Sequence, residues 1–421
     1  MSFLPFPSFS SLLRRLLRAR AAACSAAAFL GALGPLPAVD VPVLTTAPGF
    51  VSAPRLELPA QAVLGGLAYT PSGRLVTYET ASGEVRAHNG ASYDTLAHFP
   101  ATPFGSFLVV TPEADALIFG ENSEGKIYRV PLSGSGAVLL DAIVYNYDLA
   151  FDPAGHGFVS ALGAEFDGFN RIFLLDSDPA TESRVVVAGL PGFSGPVTCD
   201  SEGNLYYGTA DNQALNGQAI LKFAKSRVEE ALVGSPLGPQ DADIVIDELA
   251  GLYGLRFAGD RFYFTDLGFS LGGGVLFSID AVGSTEPEPV LSFQAPGTLV
   301  SASFLAFRAG SRPFQPGAGS HGGAFAVAFS NFDAINGVAQ VEPQLYFVRG
   351  RVNDDDIVDL SDAVAVLGYL FGGGQDPQDI EAADINADQI VDLSDAIYLL
   401  DYLFRGGSPI PPPFPEPGPA P

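Results

Sequence analysis

Short apolar runs separated by polar turns fill the chain from about residue 47 to residue 349. Gly, Pro, Asn and Asp break these runs, and apolar residues almost never recur at helical spacing, so the pattern predicts β-strands. One unit recurs: a small residue, an apolar strand, a polar turn, a second strand, a variable loop and a third strand. The six copies begin roughly 40 to 60 residues apart, at Gly66, Gly105, Tyr147, Gly195, Gly254 and Ser301.

Six such units predict a mainly β fold, a six-bladed β-propeller over residues 47–349. One twisted sheet cannot bury both of its faces alone, so the blades must close into a ring. The alternative for the same pattern is a pair of β-sandwiches. The clearest turn-and-strand copy, Asp200–Tyr207 (DSEGNLYY), resembles NHL-repeat and gluconolactonase-like propellers.

The propeller resemblance implies a metal-binding or catalytic site on the ring axis. Gluconolactonase-like propellers hold a divalent metal there with Glu, Asn and Asp from different blades, and streptogramin-lyase-like propellers use a His. The matching positions just past second strands hold Glu79, Asn122, Asp211 and Asp266. Asn and Asp are also what turns require, so turn formation competes with metal binding as the explanation. We also expect the propeller to bind a ligand or a protein across its channel face, with a carbohydrate or another small molecule as the candidate ligand.

The pattern becomes helical near the end of the chain, and it does so twice. Ile357–Phe371 and Ile390–Phe404 lie 33 positions apart and are identical at 11 of 15 positions. Ala363, Leu367 and Leu370 recur at i, i+4 and i+7, and the second copy repeats this arrangement. The sequence predicts a small α-helical module over residues 350–405.

An acidic loop precedes each predicted helix. Side-chain oxygens at loop positions 1, 3, 5, 9 and 12, with a backbone carbonyl at 7, are the spacing that wraps Ca²⁺. The second loop supplies Asp384, Asn386, Asp388, Ile390 (carbonyl), Asp392 and Asp395. The first supplies Asn353, Asp355, Ile357 (carbonyl), Asp359 and Asp362, but has Arg351 at position 1. A guanidinium repels a cation, so we expect Ca²⁺ in the second loop and weak or no binding in the first.

Loop then helix, twice, with no helix-forming segment before either loop, resembles the type I dockerin family. The resemblance covers about 55 residues and implies Ca²⁺-dependent docking onto a cohesin-type module of a partner protein. In dockerins, loop positions 10 and 11 help to choose the partner; here they are Leu360-Ser361 and Leu393-Ser394. The same pair occurs twice, which implies two interchangeable docking faces. Dockerins also suggest a role in polysaccharide breakdown.

The two ends of the chain have their own composition. Residues 1–38 combine an Arg-rich start with the apolar run Ala21–Leu33, which predicts an export signal and a secreted or cell-surface protein. Beyond residue 38 no apolar run is long enough to span a membrane. Residues 406–421 include eight prolines after Ser408 and predict an extended tail rather than a folded element.

The net charge and the small numbers of His and Cys limit the functions and bonds expected of the chain. The formal net charge of −26 argues against nucleic-acid binding, since the phosphates would go unneutralised. The four histidines (His88, His98, His156, His321) lack ligand spacing, and surface or loop positions are expected for them. Beyond the predicted signal only Cys199 remains, so no intramolecular disulfide is expected.

These observations favour a non-catalytic binding propeller tethered by a Ca²⁺-dependent dockerin-like module. The alternative is a propeller enzyme (a metal-dependent lactonase, a lyase or a glycoside hydrolase) carried by the same module. A paired-carboxylate site leaves no trace in sequence, so enzyme activity stays open. A third hypothesis makes the propeller a spacer without a saturable ligand.

Overall fold

The computed structural model describes most of the chain beyond its N-terminal segment. The described ranges are 42–58, 62–164, 167–176, 183–191, 195–209, 218–249, 252–267, 273–281, 286–295, 297–311, 314–315, 318–331, 336–353, 355, 357–374, 376–377 and 379–419. The predicted export signal lies outside them. Within these ranges, no helix is long and apolar enough to cross a membrane.

Strands dominate the fold, and helices are few. In chain order the strands are β1 (Val43–Thr46), β2 (Phe50–Glu57), β3 (Leu64–Tyr69), β4 (Leu75–Glu79), β5 (Glu84–Asn89), β6 (Ser92–His98), β7 (Gly105–Val110), β8 (Ala116–Glu121), β9 (Lys126–Pro131), β10 (Val138–Ala142), β11 (Asn146–Phe151), β12 (Gly157–Ala161), β13 (Phe169–Leu174), β14 (Val185–Pro191), β15 (Val197–Cys199), β16 (Leu205–Gly208), β17 (Gln218–Phe223), β18 (Asp243–Leu249), β19 (Leu252–Ala258), β20 (Arg261–Asp266), β21 (Val275–Asp280), β22 (Glu288–Gln294), β23 (Ser301–Ala309), β24 (Gly323–Ser330), β25 (Asn336–Pro343), β26 (Tyr346–Phe347) and β27 (Gly418–Pro419). The helices are α1 (Lys225–Val233), α2 (Leu360–Phe371), α3 (Ile380–Ala383) and α4 (Leu393–Arg405).

Six antiparallel sheets form the blades of a propeller, which confirms the predicted fold class. Blades 1 to 4 are β3–β6, β7–β10, β11–β14 and β15–β18, each in sequence order. Blade 5 is β19–β22 with β1 added at its outer edge, and blade 6 is β23–β25 with β2 as its outer strand. Because β2 comes from the start of the chain, it closes the ring non-covalently. The first strand of each blade (β3, β7, β11, β15, β19 or β23) is its inner strand. All six predicted unit starts lie in or just before one of these strands.

Small residues at the starts of inner strands allow neighbouring blades to approach closely. A Cβ atom placed on Gly105, the first residue of β7, would lie 2.2 Å from the carbonyl oxygen of Gly65 in β3. No side chain fits there. In this copy, the small residue that opens the repeated unit is therefore a packing requirement of the ring.

The turn that carries the resemblance to NHL-type propellers is held by one carboxylate. Asp200 accepts hydrogen bonds from the backbone N–H of Asn204 (2.9 Å), from its Nδ2 (2.7 Å) and from the Tyr206 hydroxyl (2.9 Å). Gly203 takes the left-handed conformation, with φ of 93°. Asp200 is thus a turn-forming residue.

The C-terminal residues form a module with a core of its own. Val352, Ala363, Val366, Ala383, Ile385, Ala396, Leu399 and Ile410 make up this core. Helices α2 and α4 match the two predicted helices. The expectation that no helix precedes either loop is wrong for the second loop, since the single turn α3 ends there. Its sequence, Ile-Glu-Ala-Ala, contains good helix formers.

The Pro-rich tail differs from the expectation of an extended, unfolded segment. Ile410 is buried in the module core, and Phe414 packs edge-on against Tyr402 with ring centroids 5.7 Å apart. The short strand β27 pairs with β26 at the other end of the module. The two apolar side chains among the prolines anchor a segment whose composition alone suggests no fold.

Candidate functional site

The second acidic loop is wound by hydrogen bonds to its own side-chain oxygens. Asp384 Oδ1 accepts from the backbone N–H of Asp388 (3.0 Å), and Asp388 Oδ1 accepts from that of Ile390 (2.9 Å). Asn386 Oδ1 accepts from the N–H of Asp388 (2.9 Å). Gln389, at loop position 6, takes φ of 72°, the left-handed turn for which calcium loops usually use Gly.

The first loop repeats the same bonds 33 residues earlier. Asn353 Oδ1 accepts from the N–H of Asp355 (3.2 Å), and Asp355 Oδ1 accepts from that of Ile357 (2.9 Å). The Asn353 amide reaches Ser361, as the Asn386 amide reaches Ser394. In the residues that the structure describes, the two loops therefore differ chiefly at position 1, where Arg351 replaces the aspartate.

The carboxylates at loop positions 9 and 12 also start the helices. Asp392 and Asp359 are N-caps, and their Oδ1 atoms accept from the N–H and hydroxyl of the serine two residues on, which lowers the pKa of both carboxyls. Asp395 and Asp362 are buried and each accepts from three backbone N–H groups. Desolvation nevertheless raises their pKa.

The second loop fits Ca²⁺ by its donor chemistry and its winding. It carries five oxygen-bearing side chains at the required positions, and Gln389 at position 6 is left-handed, as is Ala387 at position 4. In the part of the chain that the structure describes, however, no three Asp, Glu, His or Cys side chains are gathered as in a preformed metal centre. The loop carboxylates accept backbone hydrogen bonds instead, so the calcium ligand set stays a prediction.

Each loop–helix unit exposes the same apolar side chains. Leu360 and Leu393 are 50% and 47% exposed, and Phe371 and Phe404 are 72% and 66% exposed. The remaining matched pairs are Ile357 with Ile390 and Val364 with Ile397. Val364 and Phe371 adjoin the predicted stripe of Ala363, Leu367 and Leu370, and a stripe at helical spacing does not say which of its edges is covered.

The predicted partner-binding serines have a second role. The Ser394 hydroxyl donates to Asp392 Oδ1 (2.6 Å) and also accepts from Asn386 Nδ2 (2.9 Å), and Ser361 repeats both contacts. Both hydroxyls are therefore engaged in closing their loops. Leu360 and Leu393 are the residues of the predicted pairs that offer unpartnered surface.

Aromatic rings close the propeller axis. Tyr147 lies against Tyr253 (ring centroids 5.6 Å apart), and Tyr253 against Phe304 (5.9 Å). The Tyr147 hydroxyl donates to the Tyr253 carbonyl (2.9 Å). The cavity lined by these rings has a volume of about 20 Å³, room for about one water molecule.

The channel candidates lie where the second strands of their blades end. Glu79 pairs with Arg86 and accepts from the Ser82 hydroxyl (3.1 Å). Asn122 donates from Nδ2 to the carbonyl of Asn146 (2.9 Å). Asp266 is buried at the end of β20, and Asp211 lies outside the described residues. Glu79 and Asn122 thus serve contacts within or between blades, and an axial metal site stays a prediction.

An ion pair between a partly exposed arginine and a buried carboxylate spans the axis. Arg256 in β19 donates to Asp148 in β11 (Nη1–Oδ2 2.9 Å, Nη2–Oδ1 3.3 Å). Asp148 also accepts from the N–H of Val197 in β15 (3.2 Å). One carboxylate therefore links blades 3, 4 and 5. From sequence, Asp148 is indistinguishable from a turn residue.

A larger cavity lies between blades 5 and 6, at the face opposite the starts of the inner strands. Its volume is about 630 Å³, which suits a small molecule. Phe50, Tyr263 and Phe314 pack together on its apolar side, and Arg261 and Asp280 lie on its polar side. Sequence reasoning did not find this cavity, because its walls come from both ends of the propeller sequence.

His88 is buried in β5, so the expected surface or loop position is wrong for this histidine. Its Nε2 lies 2.8 Å from the Thr77 hydroxyl, and burial, assisted by Arg86, lowers its pKa to about 4. The side chain of His321 lies outside the described part of the chain.

The folded state should therefore lose stability as the pH falls through the ordinary histidine range. Below pH 6.5 the imidazole of His88 binds a proton in the unfolded chain, whereas in the folded chain it does so only near pH 4. The free energy of unfolding should fall by about 2 kcal/mol from pH 7 to pH 5 through this group. Urea unfolding of wild type and His88→Gln at both pH values tests this; an equal pH dependence in the two would contradict it.

No protein-family model matches the sequence, and no curated protein matches it. Solved structures do show similarity. A gluconolactonase from Xanthomonas campestris is 14% identical, with a TM-score of 0.46 over 74% of this chain and 99% of that one. A streptogramin B lyase is 12% identical (TM-score 0.45; 70% and 97%), and a calcium-binding regucalcin from Agrobacterium tumefaciens is 14% identical (0.46; 70% and 96%). The propeller assignment rests on the strand topology described above.

Proposed function

We propose that the chain is a secreted binding protein whose C-terminal module docks a ligand-binding propeller onto a cohesin-type partner in a calcium-dependent way. The observation that carries this proposal is the duplication of a complete loop–helix unit, with equivalent hydrogen bonds and equivalent exposed apolar residues. A fold alone needs neither the repetition nor the exposure.

The exposed apolar residues support docking. An isolated surface leucine needs no explanation, but four apolar pairs at equivalent places on α2, α4 and their loops form two matching surfaces. We name the surface of Ile357, Leu360, Val364 and Phe371 face A, and that of Ile390, Leu393, Ile397 and Phe404 face B. A partner that recognises one face has the chemistry to recognise the other.

Calcium would act by fixing the loops from which the helices start. The second loop offers the oxygen set and the turn that the ion requires, and metal binding to such a loop is coupled to its folding. Arg351 leaves the first loop without the position-1 carboxylate. We therefore assign one Ca²⁺ to the second loop.

For the propeller we favour binding over catalysis. Glu79, Asn122 and Glu121 already accept or donate hydrogen bonds that hold blades and loops together, and aromatic rings fill the axis. A saccharide or another small polar molecule in the cavity between blades 5 and 6 fits this proposal, and polysaccharide breakdown is the corresponding setting.

The docking proposal predicts a particular pattern of single and double variants. With immobilised cohesin-type module as bait and Ca²⁺ present, Leu360→Asp and Leu393→Asp should each leave capture nearly intact, because the other face still binds. The double variant should lose capture by at least about 100-fold, since a buried unpaired charge costs several kcal/mol.

Chelation of Ca²⁺ should also abolish capture, because α2 and α4 share one core and unfolding of the metal-free second loop disrupts both faces. Ser133→Asp, on an exposed loop of blade 2 remote in sequence from the module, is the matched control and should bind as wild type does. Capture that survives the double variant would contradict the proposal, and so would capture that is unaffected by chelation.

A further inference from the structure

Arg349 is a buried arginine that the docking proposal does not use. It is only 5% exposed and lies just before the first loop, with its guanidinium over the Phe347 ring (5.3 Å to the centroid). A buried guanidinium must have its donors satisfied. Its hydrogen-bond partners therefore indicate what this residue holds together.

Those partners belong to two segments that are distant in sequence. On one side, Nη1 donates to the carbonyls of Asp384 and Glu381 (3.4 Å to the latter) and lies 3.5 Å from the Asp384 carboxylate. On the other side, Nε donates to the carbonyl of Pro412 (3.0 Å), and the Arg349 N–H donates to that of Pro413 (2.7 Å). Arg349 bridges the start of the second loop and the C-terminal tail.

Among the described residues, such a bridge reaches the second loop and not the first. The residue 33 positions after Arg349 is Ala382, which cannot reach across to the first loop. The two segments do meet at this point, where the N–H of Gly350 donates to the Ala382 carbonyl (2.8 Å). In an otherwise duplicated module, the cross-link supports the loop that keeps its position-1 aspartate.

We propose that Arg349 is a positioning residue that makes the tail part of the support of the second calcium loop, so that Ca²⁺ binding and tail docking strengthen each other. This inference rests on the calcium binding proposed above. Calcium fixes the wound loop, which places the acceptors of Asp384 and Glu381 for the guanidinium. The docked tail in turn holds Arg349 through Pro412, with Ile410 and Phe414 as its apolar anchors.

The test is a cycle of variants of the full chain, measured by calorimetric titration with Ca²⁺. Arg349→Lys keeps the charge but loses the planar fork, and a chain ending at Ser408 lacks the tail. Each should weaken Ca²⁺ binding about 10-fold, as is typical when a group that orients a ligand is lost. Because both changes break one bridge, the combined variant should be no weaker than either alone.

The coupling must also be reciprocal. Ca²⁺ should slow hydrogen exchange of the tail peptide 409–419 in wild type and not in Arg349→Lys. Arg405→Lys is the matched control: this arginine is exposed on α4 of the same module and pairs with nearby Asp401. It should leave both measurements unchanged.

The outcomes separate the inference from the docking proposal. If wild type binds no Ca²⁺, the calcium proposal itself fails. If wild type binds and the chain ending at Ser408 binds equally well, the tail is no part of the site and the inference is overturned. A combined loss near 100-fold would show two independent effects and would also overturn it. Should Arg349→Lys fail to fold, Phe414→Ala provides a milder release of the tail and should weaken binding in the same direction.

Discussion

Asp395→Asn is expected to abolish the calcium binding of the chain. Asp395 occupies loop position 12 and is buried, and its two oxygens accept from the N–H groups of Ile385, Asn386 and Asp392. The substitution removes a charge that would face the cation, and it places an amide N–H₂ against a backbone donor. Both effects act on the wound loop, so affinity should fall by at least about 100-fold.

The chain provides a control for this substitution. Asp362 makes the equivalent three hydrogen bonds in the first loop, so Asp362→Asn causes similar structural damage. Because the first loop has Arg351 in place of the position-1 ligand, this variant should keep one Ca²⁺ of nearly wild-type affinity. Calorimetric titration of both variants with Ca²⁺ shows which loop binds the ion. Equal losses would mean that the calcium assignment to the second loop is wrong, and two ions bound by wild type would mean that Arg351 does not disable the first.

Local patterns predicted those parts of the fold that local residues determine. The six inner strands follow from short apolar runs with Gly and Asp turns, and the helices from Ala363, Leu367 and their equivalents. Ring closure by β2 could not be predicted, because Phe50 pairs with Pro343 and nothing near either residue indicates the other. The same reason hides the cavity between blades 5 and 6.

The burial of individual side chains could not be predicted from the sequence either. His88 looks like any polar strand residue until the neighbouring strand places Thr77 against it. Ile410 and Phe414 sit among prolines whose composition predicts an extended chain, yet two apolar side chains suffice to anchor the tail. The calcium positions, by contrast, could be proposed in full from spacing, because every predicted ligand lies within a twelve-residue loop.

The other large predicted effect is a loss of stability when the ion pair at the propeller axis is broken. Arg256→Met should lower the free energy of unfolding by about 3 kcal/mol, because it leaves the Asp148 carboxylate buried without its partner. The charge would then lie among Tyr147, Tyr253 and Phe304, the rings that close the axis. Three blades share this carboxylate, so the loss should appear as one cooperative shift of the urea transition at neutral pH rather than as separate unfolding of a single blade.

Two further variants show whether the buried charge is the cause. Arg256→Met combined with Asp148→Asn should recover part of the loss. No charge remains unpaired and the amide oxygen can still accept from the Val197 N–H, but the amide N–H₂ then faces the Leu149 N–H, from which Asp148 Oδ1 accepts a hydrogen bond in the wild type. Arg261→Met removes an arginine of the same blade whose partners, Asp280 and Glu288, are solvent-exposed, and should cost at most about 1 kcal/mol. If Arg261→Met destabilises the protein as much as Arg256→Met does, or if the double variant is no more stable than Arg256→Met alone, the axis is held by ring packing and not by the ion pair.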